Sequence, residues 1–165
     1  MADLIQSIQS SIYLNLIYED RYLFLLKGFG MTLYLTFLSF LLGTVVGAIF
    51  CRLRFSKISA VSKATIQLKT FFIRLPTLVL LLIFAYMLFS DSSLDTVTLA
   101  IMAFALKTGS YISDIMYSAI ETVDKGEIEA ARTLGMSSFM AFRLVVLPQA
   151  IKNALPVYKN QLIIT

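Results

Sequence analysis

Gly28–Cys51 reads GFGMTLYLTFLSFLLGTVVGAIFC, without one charged side chain. Wound as a helix, this stretch rises roughly 36 Å at 1.5 Å per residue, enough to cross about 30 Å of hydrocarbon with some tilt. It is the expected first span, over about 28–51. With 58% hydrophobic and only 15% charged residues in 165, the chain has the composition of a protein solvated by lipid rather than of a soluble globule. Inside the span, Gly43 and Gly47 form a Gly-x-x-x-Gly pair, a pattern that lets a second helix come close where lipid gives no hydrophobic drive for association.

Downstream, Arg52, Arg54, Lys57, Lys63, Lys69 and Arg74 occur without an acidic residue between them. Basic residues beside a span stay on the cytoplasmic side during insertion, so 52–74 is expected to be a cytoplasmic solvated loop and the N-terminus to lie outside. Leu75–Ser90 is again uncharged and opens with Pro76, tolerated in a first helical turn because the amide it lacks would be unpaired there. This predicts a second span over about 75–90, ending in an outer turn that carries Asp91 and Asp95. A third span is predicted over about 96–116. Its clean apolar part stops at Leu106, and only continuation through Lys107 makes it long enough to cross.

Lys107, Ser110, Tyr111 and Asp114 recur at helical spacing and share one face. Charges in hydrocarbon are costly and seek protein, water or headgroups. Two readings follow: this face lines a solute path, or both charges sit near the cytoplasmic interface, with Lys107 snorkelling and Asp114 in water.

Upstream, residues 1–27 are expected to form an extracytoplasmic or interfacial segment. Leu4, Ile5, Ile8, Ile12 and Leu16 fall near one stripe, suiting either a helix lying on the membrane or a frayed tail. The start lacks a basic leader followed by a small-residue cleavage pattern, so no processing is expected there.

The residue inventory narrows the chemistry. Histidine is absent, which argues against common metal sites and imidazole acid–base catalysis. The single cysteine, Cys51, reads as a small buried hydrophobe. The surplus charge of +4 is interleaved with spans rather than gathered on a soluble face, so nucleic acid is not an expected partner. A Gly-x-x-x-x-Gly-Lys-Ser/Thr phosphate loop does not occur, so any nucleotide hydrolysis belongs to another chain.

Between Glu121 and Gln149 the sequence turns water-compatible and predicts two short amphipathic helices. The first places Ile128, Ala131 and Leu134 on one side, with Glu129 and Arg132 elsewhere. Gly135 suits the left-handed residue that ends a helix, and Ser137 or Ser138 can cap the next. The second presents Phe139, Phe142, Val145 and Val146 until Pro148 interrupts it. Small residues at Ala130 and Ala131 would let a partner approach the backbone, Glu129 could pair with a basic residue of that partner, and Gly135 would make the corner.

Glu129-Ala130-Ala131 with Gly135, followed by Leu147-Pro148-Gln149, resembles the EAA loop through which bacterial ATP-binding-cassette import permeases grip their ATPase. The likeness runs from Lys27 onward, through Gly28 with Thr32-Leu33, Leu42-Gly43 with Gly47, Gly109-Ser110-Tyr111-Ile112 and Leu147-Pro148-Gln149-Ala150. It is similar to permeases of the polar amino acid uptake family, those for histidine, glutamine and arginine. Two positions depart: Arg74-Leu75-Pro76-Thr77 stands where the family shows Arg-Gly-Thr-Pro, and Tyr117 stands near a usual basic residue.

The resemblance implies an all-α integral membrane protein with an incomplete type I ABC importer permease fold: three spans within a permease domain over 28–165, an EAA-like coupling loop over about 121–149, and the start of a further span over 150–165. Family members continue into further helices, so a C-terminally truncated chain is expected. Implied partners are a cytoplasmic ATP-binding-cassette ATPase dimer that binds the ATP, a second permease subunit in a homo- or heterodimer, an extracytoplasmic solute-binding protein and the lipid bilayer. The location implied is the bacterial inner membrane, with multiple passes. Glu129, Ala130, Ala131, Gly135, Leu147 and Pro148 are the implied ATPase-coupling residues. A different reading of the residues is a small membrane scaffold whose cytoplasmic hairpin recruits an unrelated partner.

Overall fold

The computed structural model describes residues 20–89 and 93–165. The stripe expected in residues 4–17 and the acidic Asp91 fall outside them. All regular structure among the described residues is helical. Helix α1 spans Arg21–Arg54, α2 Ser59–Arg74 and α3 Thr77–Leu82, the last continued by a π-helical stretch, Ile83–Leu88. Helix α4 spans Thr96–Glu121, α5 Lys125–Thr133 and α6 Ser138–Ala141, which runs through a π-helical turn, Phe142–Val146, into α7, Leu147–Ile164. The chain divides into two units, 1–35 and 36–165; the expected boundary at 27/28 lies inside α1. In the first unit, α1 leaves Phe24, Leu25 and Phe29 exposed, as a lipid-facing helix surface would.

Within the second unit, α1 and α4 are long and apolar enough to cross a membrane. They meet along a seam of small residues. A methyl group added at Gly43 would lie 3.1 Å from the Ala105 carbonyl oxygen, and one at Gly47 2.9 Å from that of Gly109. The seam is reciprocal, since a methyl on Gly109 would come within 2.8 Å of the Gly43 carbonyl oxygen. Gly43 and Gly47 are therefore packing residues, letting backbones touch as in other membrane helix pairs. Because residue 43 faces 105 and 47 faces 109, the two helices run parallel. The chain between them must then return from the Arg54 end to the Thr96 end.

That return corrects two expectations. The basic stretch 52–74 is mostly helical rather than a solvated loop, and the span expected over 75–90 holds only a twelve-residue helical segment, 77–88. At 1.5 Å per residue, such a segment covers about 18 Å, too little for a crossing. Instead α2 and α3 form one broken traverse, bent by 107°. The cause is local. A residue before proline is driven out of the helical region, and Leu75, with φ −68° and ψ 131°, has left it. Pro76 supplies no amide to continue the ladder.

The traverse is fixed to α4 by a core of Leu80, Phe84 and Ala103, with Phe72, Leu75 and Leu106 around it. Asp95 caps α4 by accepting from the Thr98 amide at 3.2 Å, so the third span starts where the sequence places it. It runs on to Glu121, beyond the expected end near Met116. Helix α7 packs against α4, and its Tyr158 reaches α1, with the hydroxyl 2.6 Å from Thr44 Oγ1 and the ring 4.8 Å from Phe40.

Candidate functional site

The first locus is the elbow from Asp124 to Gln149. Asp124 starts α5 by accepting from the Gly126 amide at 2.8 Å. Gly135 ends it at φ +86°, a left-handed backbone that L side chains resist. Around it the Met136 amide donates to Ala131 O at 3.2 Å and the Gly135 amide to Arg132 O at 3.1 Å, the paired bonds of a Schellman closure. Ser137, rather than Ser138, then caps α6 by accepting from the Met140 amide.

The elbow sorts its residues differently from the periodicity. Ala131 is buried against its own chain and cannot offer its backbone to a partner. Leu134, expected on the same side as Ala131, is the helix C-cap and stands out at 81% exposure. Phe139 is 73% exposed, while Ala141 and Val146 turn inward. The outer surface thus joins Glu129, Ala130, Leu134 and Phe139. The Glu129 carboxylate enters no ion pair among the described residues. Sequence reasoning missed Leu134 and Phe139 as outward knobs; the glycine corner that follows Leu134 was the available signal, because a cap residue no longer obeys the 3.6-residue period.

Leu147 and Pro148 lie at the base of the elbow, not at its tip. Pro148 does not interrupt the second helix. It falls in the first turn of α7, directly after the π-helical turn Phe142–Val146, so the missing amide is absorbed by a widened turn. Gln149 donates to Glu127 Oε2, and Asn153 Nδ2 donates to Thr122 Oγ1 at 3.1 Å. These bonds tie α5 to the start of α7, and α7 to the end of α4.

The second locus is a polar knot on the face that carries Lys107, Ser110, Tyr111 and Asp114. Asp114 accepts from Lys69 Nζ at 2.6 and 2.7 Å and from Arg54 Nη1 at 2.7 Å. The Arg54 guanidinium also lies 3.5 Å from the centroid of the Tyr117 ring, which stacks on Phe55. Tyr117 thus receives a cation from α1, in the region where the resembled family carries one. Lys107 Nζ donates to Leu75 O and Thr77 Oγ1, both at 2.8 Å. Ser110 is fully buried and donates to Leu106 O, while Tyr111 is 36% exposed. Asp114 is bound by two cations with 41% of its side chain still exposed, and Lys107 fastens the helix break.

Residues 39–165 match the family model described as binding-protein-dependent transport system inner membrane component. The chain is 34% identical over 145 residues to a probable amino-acid ABC transporter permease protein, YckA, of Bacillus subtilis, covering 87% of this chain and 64% of the relative. It is 31% identical over 148 residues to a putative glutamine transport system permease protein of Rickettsia prowazekii, 88% of this chain and 68% of that one. Against the nopaline transport system permease protein of Agrobacterium fabrum the identity is 36% over 151 residues, with 85% and 63% covered. A crystal structure of an amino acid ABC transporter with histidines superposes with a TM-score of 0.73 at 35% identity, covering 81% of this chain and 63% of that one. The chain thus spans about 64% of the length of the first of these relatives.

Proposed function

The chain belongs to the binding-protein-dependent transport system inner membrane components, and on that premise we propose that it is a permease subunit of an ATP-driven importer of amino acids in the bacterial inner membrane. Its relatives are named as amino-acid, glutamine and nopaline transport permeases, which supports that solute class. The single observation that carries the coupling role is the elbow: a helix closed by Gly135 that holds Leu134 and Phe139 out to solvent beside Glu129 and Ala130. Exposed apolar side chains on a short rigid corner are suited to a pocket on a partner, and an exposed carboxylate to a basic rim.

The partner is a cytoplasmic ATPase dimer that binds and hydrolyses the ATP. Glu129, Ala130 and Gly135 shape the contact, Ala131 seats the elbow on its own chain, and Leu147 and Pro148 transmit its displacement. A second permease subunit and an extracytoplasmic solute-binding protein complete the assembly. ATPase closure biases two packings of the membrane helices, opening the solute path to one side or the other.

Disulfide trapping tests this reading. With Leu134→Cys in the assembled complex, a cysteine scan of the ATPase surface is expected to find a crosslink that ATP binding modulates. Labelling of that cysteine by an impermeant reagent from the periplasmic side would refute it.

A further inference from the structure

The parallel register of α1 and α4 fixes where Lys107 stands. Since residue 43 faces 105 and 47 faces 109, it stands level with residue 45 of α1, inside the uncharged stretch 28–51 and six residues, about 9 Å, from its Cys51 end. Its ammonium has three donors. Two go to neutral oxygens, the Leu75 carbonyl freed by the helix break and Thr77 Oγ1. The third has no partner among the described residues, and the side chain is partly exposed. The carboxylate nearest in this cluster, Asp114, is already shared by Arg54 and Lys69. Of these four ionisable side chains three are cationic and one anionic, and Lys107 is the cation left without a counter-ion.

An ammonium level with the uncharged stretch of α1 and held only by neutral oxygens favours an incoming anion far more than the same group in water would. Leu75 O and Thr77 Oγ1 hold it in one place, so an arriving carboxylate meets a pre-oriented donor. The helix break also opens irregular backbone at this depth, a feature of membrane proteins tolerated where it lines a cavity or is buried in protein. We propose that Lys107 is a solute-binding residue that receives the α-carboxylate of the transported amino acid at the break between α2 and α3. This rests on the importer reading above.

The test uses the permease–ATPase assembly without its solute-binding protein, in detergent, with L-glutamine, L-histidine and L-arginine and their α-amides as probes in calorimetric titration. The wild type is expected to bind one of the acids at least tenfold more tightly than its amide. Lys107→Gln keeps donors for Leu75 O and Thr77 Oγ1 while removing the charge, and should bring acid and amide to within twofold of each other. Lys107→Arg should retain most of the preference.

An unchanged preference in Lys107→Gln overturns the site, since a residue that only caps the helix would behave so. Should Lys107→Gln fail to assemble, Lys107→Arg decides: loss of acid binding in an assembled Lys107→Arg complex overturns the site, and retention supports it. Uptake of a probe by the complete wild-type system in vesicles without measurable binding to the assembly overturns the site and leaves the importer reading standing. Absence of uptake overturns the importer reading and the site with it.

Discussion

The α1–α4 seam and the elbow are both built on glycine, yet they use it for opposite ends. At the seam, Gly43, Gly47 and Gly109 give up side chains so that two backbones can touch, and a methyl group at Gly47 would press to 2.8 Å on Ile112 Cγ2. At the elbow, Gly135 has open space around it and is needed only for its dihedral angle. One region is intolerant of volume and the other of backbone restriction. The contrast teaches that the seam carries the fold, whereas the elbow carries a surface.

Substitutions can break that division, and their expected costs fall in a clear order. Gly47→Leu should cost most, about 3 kcal/mol, at the upper end of overpacking penalties because backbone as well as side chain is struck; thermal denaturation of the solubilised chain should show the loss. Asp114→Asn leaves Lys69, with 7% of its side chain exposed, and Arg54 without their shared carboxylate. Breaking a buried pair typically costs about 3–5 kcal/mol, but 41% exposure of the Asp114 side chain brings the expectation down to about 2 kcal/mol. Losing less than half that amount would show the knot to be solvated.

Gly135→Val should cost about 1–2 kcal/mol through its left-handed dihedral, while co-purification of the ATPase falls far more than stability does. Gly135→Asn, which tolerates that region better, should restore most of the yield. Leu134→Ser is expected to leave stability within about 0.5 kcal/mol and still reduce solute-driven ATP hydrolysis severalfold; normal coupling in this variant would end the distinction drawn here.

The smallest effect concerns the cap of α4. The Thr98 hydroxyl, followed by its amide, holds the Asp95 carboxyl below its ordinary value of 3.8. A depressed carboxylate adds stability that is present above the unfolded value and is lost as pH falls through the folded one. Protection of the first α4 amides against hydrogen exchange should therefore weaken only below about pH 3.8, and Asp95→Asn should abolish the dependence.

What could be read from the sequence follows from how local each cause is. The Thr96 start of α4, the Gly135 corner and the Gly43/Gly47 pair depend on residue types within a few positions, and all three stand in the structure as read. The broken traverse was hidden because hydropathy counts Lys69 as solvated whatever it meets, although it is buried. The partner that makes Lys69 buriable, Asp114, is 45 positions away. Leu75-Pro76 marked a helix boundary without revealing that a helix lay on both sides of it. At the elbow, periodicity set Ala131 and Leu134 on one side of α5 but could not say which would meet the chain itself, and the structure buries Ala131 while exposing Leu134.

The seam has one more consequence. Its partners lie 62 positions apart at both contacts, 43 with 105 and 47 with 109, so the helices mesh like a rack cut at four-residue intervals. Sliding by a single residue would bring bulk against backbone, and only a shift of a full turn would set small against small again. A push delivered from below cannot make these two rods creep past one another in small steps; it must tilt or swing them as a unit.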